Sequence, residues 1–90
     1  MSEVIRPDDW LVTAMQGGDE SALRAVIRRY TAYVGAIVRN IVGGRLSEDD
    51  RKEIVSDVFH LLWKYCARIR AGKLKAYLGS IARIRAMLPR

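Results

Sequence analysis

The chain has 90 residues, of which half are hydrophobic and 29% are charged. This composition excludes an intrinsically disordered chain, and no uncharged stretch approaches the roughly 20 residues that a bilayer requires. One cysteine, Cys66, and one histidine, His60, exclude a disulfide framework and a zinc finger. The early acidic residues, beginning with Glu3, are atypical of a signal peptide. We expect one small cytoplasmic domain over residues 1–90.

The charge is distributed unevenly along the chain. The net charge is +6, but residues 1–57 carry eight Lys/Arg and ten Asp/Glu, whereas residues 58–90 carry eight Lys/Arg and no acid. A block of one sign favours an anionic partner, and nucleic-acid phosphate is the commonest such partner. A solvated basic face that only keeps the protein soluble is the alternative at this point.

Hydrophobic periodicity predicts four helices and no strand. The first begins after Pro7, where Asp8 and Asp9 suit the positive end of a helix dipole, and it stops at a pair of glycines. The second begins at a capping Asp19. Its apolar residues keep helical spacing until the glycine pair at 43–44.

The third and fourth helices carry the basic block. Ser47, with Asp50 three residues later, is a variant capping box that opens the third helix, whose apolar pattern continues to Gly72. The fourth helix runs from about Lys73 to Pro89. Its predicted inward face comprises Leu74, Tyr77, Leu78, Ile81, Ile84 and Leu88. The expected fold class is therefore all-α, a compact bundle of three long helices plus a short N-terminal helix.

The polar face of the third helix lies opposite a wide apolar stripe. The residues on this face are Glu53, Ser56, Asp57, His60 and Lys64. Glu53 and Asp57 are four positions apart with the same charge, which costs a few tenths of a kcal/mol. Compensation of the helix dipole explains the acids of the first turn but not Asp57, because the effect fades within a turn. A docking surface for a basic partner and a plain solvated face are equally supported by the residues alone.

Residues 50–63 resemble the region 2 helix of bacterial sigma factors, especially the short extracytoplasmic-function group. The family pattern is an acid, Leu or Ile, Val, Gln, an acid, Val, Phe and, four residues after the Phe, a Trp. The residues that match it here are Glu53, Ile54, Val55, Asp57, Val58, Phe59 and Trp63. Ser56 stands where the family usually has Gln.

Two flanking segments extend the resemblance over about residues 8–87. Residues 18–30 resemble the opening helix of the family, and residues 74–83 resemble its Phe-x-x-Trp-Leu-x-x-Ile-Ala-Arg stretch, with Leu74 and Tyr77 in place of the Phe and Trp. Three features depart from the family. Ile84 stands where Asn is usual, the Ile-Asp-x-Leu-Arg ending is missing, and the region 4 domain that contacts the −35 element is not among these 90 residues.

The resemblance implies a sigma region 2 domain that recognises and melts the −10 promoter element for transcription initiation. In the family, the polar face of the third helix docks on a coiled coil of the RNA polymerase β′ subunit. That role falls here on Glu53, Ser56, Asp57, His60 and Lys64. The following loop and the start of the fourth helix engage the non-template strand of the −10 element. The DNA-binding residues implied here are Arg68, Arg70, Lys73, Lys75 and Arg83, whose cations suit phosphate neutralisation.

No enzymatic activity is expected, since phosphoryl transfer would belong to the polymerase. Accordingly no catalytic residue, metal, cofactor, small-molecule substrate or membrane span is predicted, and His60 has no second ligand beside it. Cys66 is expected to be a buried inert thiol, and Phe59, Trp63 and Tyr77 are expected to pack in or around the core. The alternative function is a helical interaction module without promoter recognition of its own. Its partner would be an anti-sigma protein, the second chain of a two-chain sigma factor or a second copy of this chain.

Overall fold

The computed structural model of the protein describes residues 6–88, which form four α-helices and no strand. The helices are α1 (Asp8–Gln16), α2 (Glu20–Val42), α3 (Glu48–Lys64) and α4 (Leu74–Met87). Single 3₁₀ turns follow α2 at Gly43–Arg45 and α3 at Cys66–Arg68. The predicted all-α class, with three long helices and one short N-terminal helix, is confirmed. The predicted helix boundary at Pro89 lies outside the described residues.

Local capping determines where α2 and α3 begin. Asp19 accepts hydrogen bonds from the backbone N–H of Ser21 at 2.9 Å and from its hydroxyl at 2.6 Å, and the hydroxyl bond in particular lowers the pKa of Asp19. The hydroxyl oxygen of Ser47 accepts from the N–H of Asp50 at 3.1 Å. α2 ends where Gly43 adopts a φ of 55°, which side-chain-bearing residues rarely adopt.

Asp8 joins α1 to α2. Its carboxylate accepts hydrogen bonds from Nη1 of Arg29 at 2.6 Å and from the hydroxyl of Tyr30. Arg29 also donates to the backbone carbonyl of Arg6 at 2.6 Å. Burial, followed by the hydrogen bond to Asp8, raises the pKa of Tyr30 to about 12. Asp8 therefore links two helices in addition to its predicted place at the N-terminus of α1.

The core lies where α2, α3 and α4 pack against one another, and α1 packs on α2 and on the connection that follows α3. The side chains that are fully buried between the three long helices include Val26, Val34, Val38, Ile54, Val58, Leu62 and Leu78. Among residues 6–88 no polar or charged side chain is buried. The bundle is thus held together chiefly by apolar contact.

α3 is shorter than predicted. The apolar pattern continues to Gly72, but α3 ends at Lys64 and the chain turns into a loop. Cys66 and Ile69, which prolong the pattern, are nevertheless buried. The side-chain amide of Gln16 in α1 donates to the carbonyl oxygen of Cys66 at 2.9 Å. The residues that were expected to prolong α3 therefore lie in a loop that contacts α1.

The inward face of α4 was predicted only in part: Leu74 and Leu78 are buried as expected, and Tyr77 and Ile81 pack partly against the core. Its buried residues are Leu74, Leu78, Gly79, Ala82 and Ala86. Ile84 and Leu88, which were expected to face the core, are 62% and 46% exposed. The small inward residues allow a close approach to α2, because a Cβ added at Gly79 would lie 2.7 Å from the hydroxyl oxygen of Tyr33.

Candidate nucleic-acid and protein interfaces

Basic side chains converge on a depression at the start of α4, named here the basic pocket. Its volume is about 250 Å³, and its lining residues are Arg68, Arg70, Lys73, Ala76, Tyr77 and Ser80. The three cationic residues belong to the connection between α3 and α4, residues 65–73, named here the α3–α4 loop. The other three come from the first two turns of α4. The pocket therefore combines cations with a half-buried aromatic ring and a hydroxyl.

The structure separates the five residues predicted to bind DNA into two groups. Those that line the basic pocket are Arg68, Arg70 and Lys73. Lys75 lies elsewhere, with its ammonium 4.9 Å from the centre of the Tyr33 ring on α2. Arg83 also lies on this side of α4, where its Nη1 is 3.1 Å from the position of a Cβ added at Gly79. Neither Lys75 nor Arg83 lines the pocket.

Two residues of the pocket, Tyr77 and Ser80, were not among the predicted DNA-binding residues. Tyr77 packs partly against the core, as expected, but it also lines the basic pocket. Both residues share a helix face with Lys73, because they follow it by four and seven positions. Their spacing from Lys73 is the feature of the sequence that could have identified them as pocket residues.

A second aromatic group, Tyr65, lies beside the basic pocket. It is half-buried at the C-terminal end of α3, with the Arg68 guanidinium 4.8 Å and the Lys64 ammonium 5.5 Å from its ring centre. Because Arg68 also lines the pocket, one cation joins the ring to the pocket. Lys64, predicted to contact polymerase, therefore lies against the same ring as Arg68.

A larger groove lies between α2 and α3, named here the α2–α3 groove. Its volume is about 850 Å³, and its apolar lining includes Leu23, Ile27, Val55, Phe59 and Trp63. Charged residues also line it, and two of them, Glu48 and Lys52, form an exposed ion pair of 3.7 Å. An apolar lining with charged residues around it suits a helix that carries an apolar face.

Of the five residues predicted to contact polymerase, Asp57 is half-buried and the other four are exposed on α3. Ser56 and His60 line the α2–α3 groove. Asp57 lies toward α4, where its Oδ2 accepts a hydrogen bond from Nη2 of Arg85 at 2.7 Å. Glu53 precedes Asp57 by one helical turn. The expected acidic ridge is therefore partly neutralised within the molecule, which sequence spacing along α3 alone does not show.

The apolar part of the groove has a partial signal in the sequence. The wide apolar stripe of α3 includes Val55, and the structure leaves Val55 and Trp63 half-buried. Leu23 and Ile27 have the helical spacing of core residues but are also only half-buried. The apolar stripe of α3 is wider than its packing contacts cover, and the uncovered part of the stripe lines this groove.

No helix in residues 6–88 is long and apolar enough to cross a membrane. Over the same residues, no group of three or more His, Cys, Asp or Glu side chains is placed to hold a metal ion. No protein-family model matches the chain, and no curated protein or solved structure is similar enough to match it. The resemblance to sigma region 2 therefore stays a prediction from the sequence motifs.

Proposed function

We propose that this chain is a sigma region 2 domain that holds single-stranded −10 promoter DNA in the basic pocket and docks on core RNA polymerase through the α2–α3 groove. The observation that carries the proposal is the convergence of Arg68, Arg70 and Lys73 with Tyr77 in one pocket. The motif resemblance assigns those three cations to the −10 element independently of the pocket.

The chemistry of the basic pocket suits one unpaired base and its flanking phosphates. Lys and Arg neutralise phosphate, and tyrosine rings and guanidinium planes stack on exposed bases. A volume of about 250 Å³ accommodates one nucleobase. Stacking of this kind requires a base that has left the duplex, which is the state of the −10 element during promoter melting.

The α2–α3 groove supports the polymerase half of the proposal. Helix-in-groove recognition places the apolar face of one helix against an apolar channel, with polar side chains at its edges. The groove offers Val55 and Trp63 for the apolar contact and Ser56 and His60 for the polar contact. A helix of the β′ coiled coil is the proposed occupant.

Two neighbouring lysines provide a matched test of the DNA half. Lys73 lines the basic pocket, whereas Lys75 lies against Tyr33. We expect Lys73→Ala to weaken binding of a fluorescein-labelled single-stranded −10 oligonucleotide and to reduce the salt slope of log K by about 0.7, one phosphate contact. Lys75→Ala is expected to leave both nearly unchanged. Fluorescence anisotropy at several salt concentrations gives both quantities, and equal effects of the two substitutions would contradict the pocket assignment.

A helical interaction module is the second candidate function, and the end of α4 favours it. Ile84, Met87 and Leu88 are 62%, 72% and 46% exposed, which is unusual for neighbouring large apolar side chains. If the wild type binds neither single-stranded DNA nor polymerase and light scattering shows a dimer that persists on dilution, this second function replaces the first.

A further inference from the structure

We propose that Asp9 and Gln16 of α1 are positioning residues for the basic pocket, because they hold the backbone of the α3–α4 loop that brings its cations together. The inference rests on the proposed function of that pocket. Neither residue lines the pocket, so each would act through the loop backbone.

The contacts between α1 and the loop are specific and join distant parts of the chain. Oδ1 of Asp9 accepts a hydrogen bond from the backbone N–H of Gly72 at 2.7 Å. The side-chain amide of Gln16 donates to the carbonyl oxygen of Cys66 at 2.9 Å and lies 3.5 Å from that of Ile69. One helix therefore holds the loop near both of its ends.

The loop's own hydrogen bonds do not supply this attachment. They are single turns, in which the N–H groups of Arg68, Ile69 and Lys73 donate to the carbonyls three residues earlier at 3.0–3.1 Å. Such turns set local shape but do not fix the loop against the bundle. Gly72, whose φ is 75°, sets the direction in which the chain enters Lys73, and its N–H is the group that Asp9 binds.

Because Asp9 is charged, its positioning role can be tested by whether a substitution strengthens or weakens binding of the nucleic acid. A carboxylate beside a loop that binds phosphate repels the ligand, so removing the charge alone should tighten binding. Removing the hydrogen-bond acceptor should instead loosen the loop and weaken binding. Asp9→Asn removes the charge and keeps an acceptor oxygen, whereas Asp9→Ala removes both.

The experiment measures binding of a fluorescein-labelled oligothymidine of about 12 nucleotides by anisotropy. We expect Asp9→Asn to bind at least as tightly as the wild type, and Asp9→Ala to bind about fivefold more weakly than Asp9→Asn, the equivalent of one lost hydrogen bond. Gln16→Ala is expected to weaken binding to a similar degree. Amide hydrogen exchange by NMR should be faster at Gly72 in Asp9→Ala and unchanged at the core residue Val58.

The outcomes separate the inference from the function on which it rests. If Asp9→Ala binds as tightly as Asp9→Asn, which has the same charge, the positioning role is overturned and the proposed function stands. Faster exchange at Val58 as well as Gly72 would mean a loss of global stability and would also overturn the positioning role. If the wild type does not bind the oligonucleotide, the proposed function fails and the inference fails with it.

Discussion

Replacing Gly79 by Ala tests how closely α4 approaches α2. In an open helix this change stabilises the fold by about 1 kcal/mol. Here the new Cβ would lie 2.7 Å from the hydroxyl oxygen of Tyr33, so that oxygen has to move by about 0.7 Å to reach an ordinary 3.4 Å contact. Overpacking costs about 1–3 kcal/mol in a well-packed core, and the lower end of that range applies here because the crowded atom ends a half-buried side chain. We therefore expect Gly79→Ala to leave the free energy of unfolding unchanged or to lower it by up to about 1 kcal/mol.

Tyr33→Phe provides the matched background for this test. It removes the hydroxyl, and the ring carbon that bore it is 3.7 Å from the added Cβ, which is an ordinary contact. In that background the added Cβ still lies 3.1 Å from Nη1 of Arg83, so Gly79→Ala should raise the free energy of unfolding by up to about 1 kcal/mol and be more favourable than in the wild type. Urea denaturation of the four proteins, followed by circular dichroism, gives the coupling between the two sites. Equal stabilisation by Gly79→Ala in both backgrounds would refute the close approach of the helices.

Three further predictions concern stability. The pKa of Tyr30, raised to about 12 by burial and by the hydrogen bond to Asp8, means that the folded state keeps a proton that the unfolded chain loses near pH 10. The free energy of unfolding should therefore fall as the pH rises from about 10 toward 12, and this fall should be smaller in Tyr30→Phe. Urea denaturation at several alkaline pH values measures it, and identical pH profiles of the wild type and Tyr30→Phe would contradict the role of Tyr30. A double-mutant cycle of Asp57→Ala and Arg85→Ala should give a coupling energy below about 1 kcal/mol, and zero coupling would argue against the ion pair. Asp57→Ala should lower the free energy of unfolding more than Arg85→Ala, because it leaves Arg85 unpaired while Nε of Arg85 is already buried without a hydrogen-bond partner. Ser47→Ala should lower the free energy of unfolding by about 1 kcal/mol in the same assay, while Ser47→Asp, which restores an acceptor, should not.

Most helix boundaries could be predicted from the sequence because local chemistry sets them. Asp19 and Ser47 cap the following residues, and Gly43 supplies the backbone conformation that ends α2. The end of α3 could not be predicted in the same way. Cys66 and Ile69 continue the apolar pattern of α3 and are buried, but they lie in a loop. The loop is held in part by Gln16, which lies 50 residues before Cys66 in the chain.

The inward face of α4 was predicted only in part for a related reason: Leu74 and Leu78 are buried as expected, but Ile84 and Leu88 are exposed. Periodicity favours the largest apolar side chains as the core face, which selected Ile84. The observed face is lined in part by Gly79 and Ala82, since close packing against α2 requires small side chains there. Residue size at a helix contact depends on the partner helix, which a single sequence does not identify.

The candidate sites were predictable in their residue types but not in their grouping. The basic block indicates the cations, but Lys73 ends the α3–α4 loop and lines the pocket, whereas Lys75 lies in the first turn of α4 against Tyr33. Asp57 belongs to the predicted polymerase-binding face by spacing, yet Arg85 pairs with it from another helix. Pairing between helices appears only in the folded structure.

Capture of bacterial core RNA polymerase is the most direct test of the proposed sigma function. Asp57 is a poor site for the disrupting variant, because a charge reversal there would place two cations together at Arg85 and change stability as well as the surface. Ser56→Arg is a better choice, because Ser56 is exposed and an arginine there would place a bulky cation in the α2–α3 groove. Ser80→Arg, also at an exposed position but in the basic pocket, is its matched control.

The expected result is that the wild type and Ser80→Arg capture the polymerase and that Ser56→Arg does not. All three proteins should unfold at similar urea concentrations, since both serines are exposed. Capture by Ser56→Arg as strong as that of the wild type would contradict docking in the groove. Failure of the folded wild type to capture the polymerase would contradict the sigma function itself.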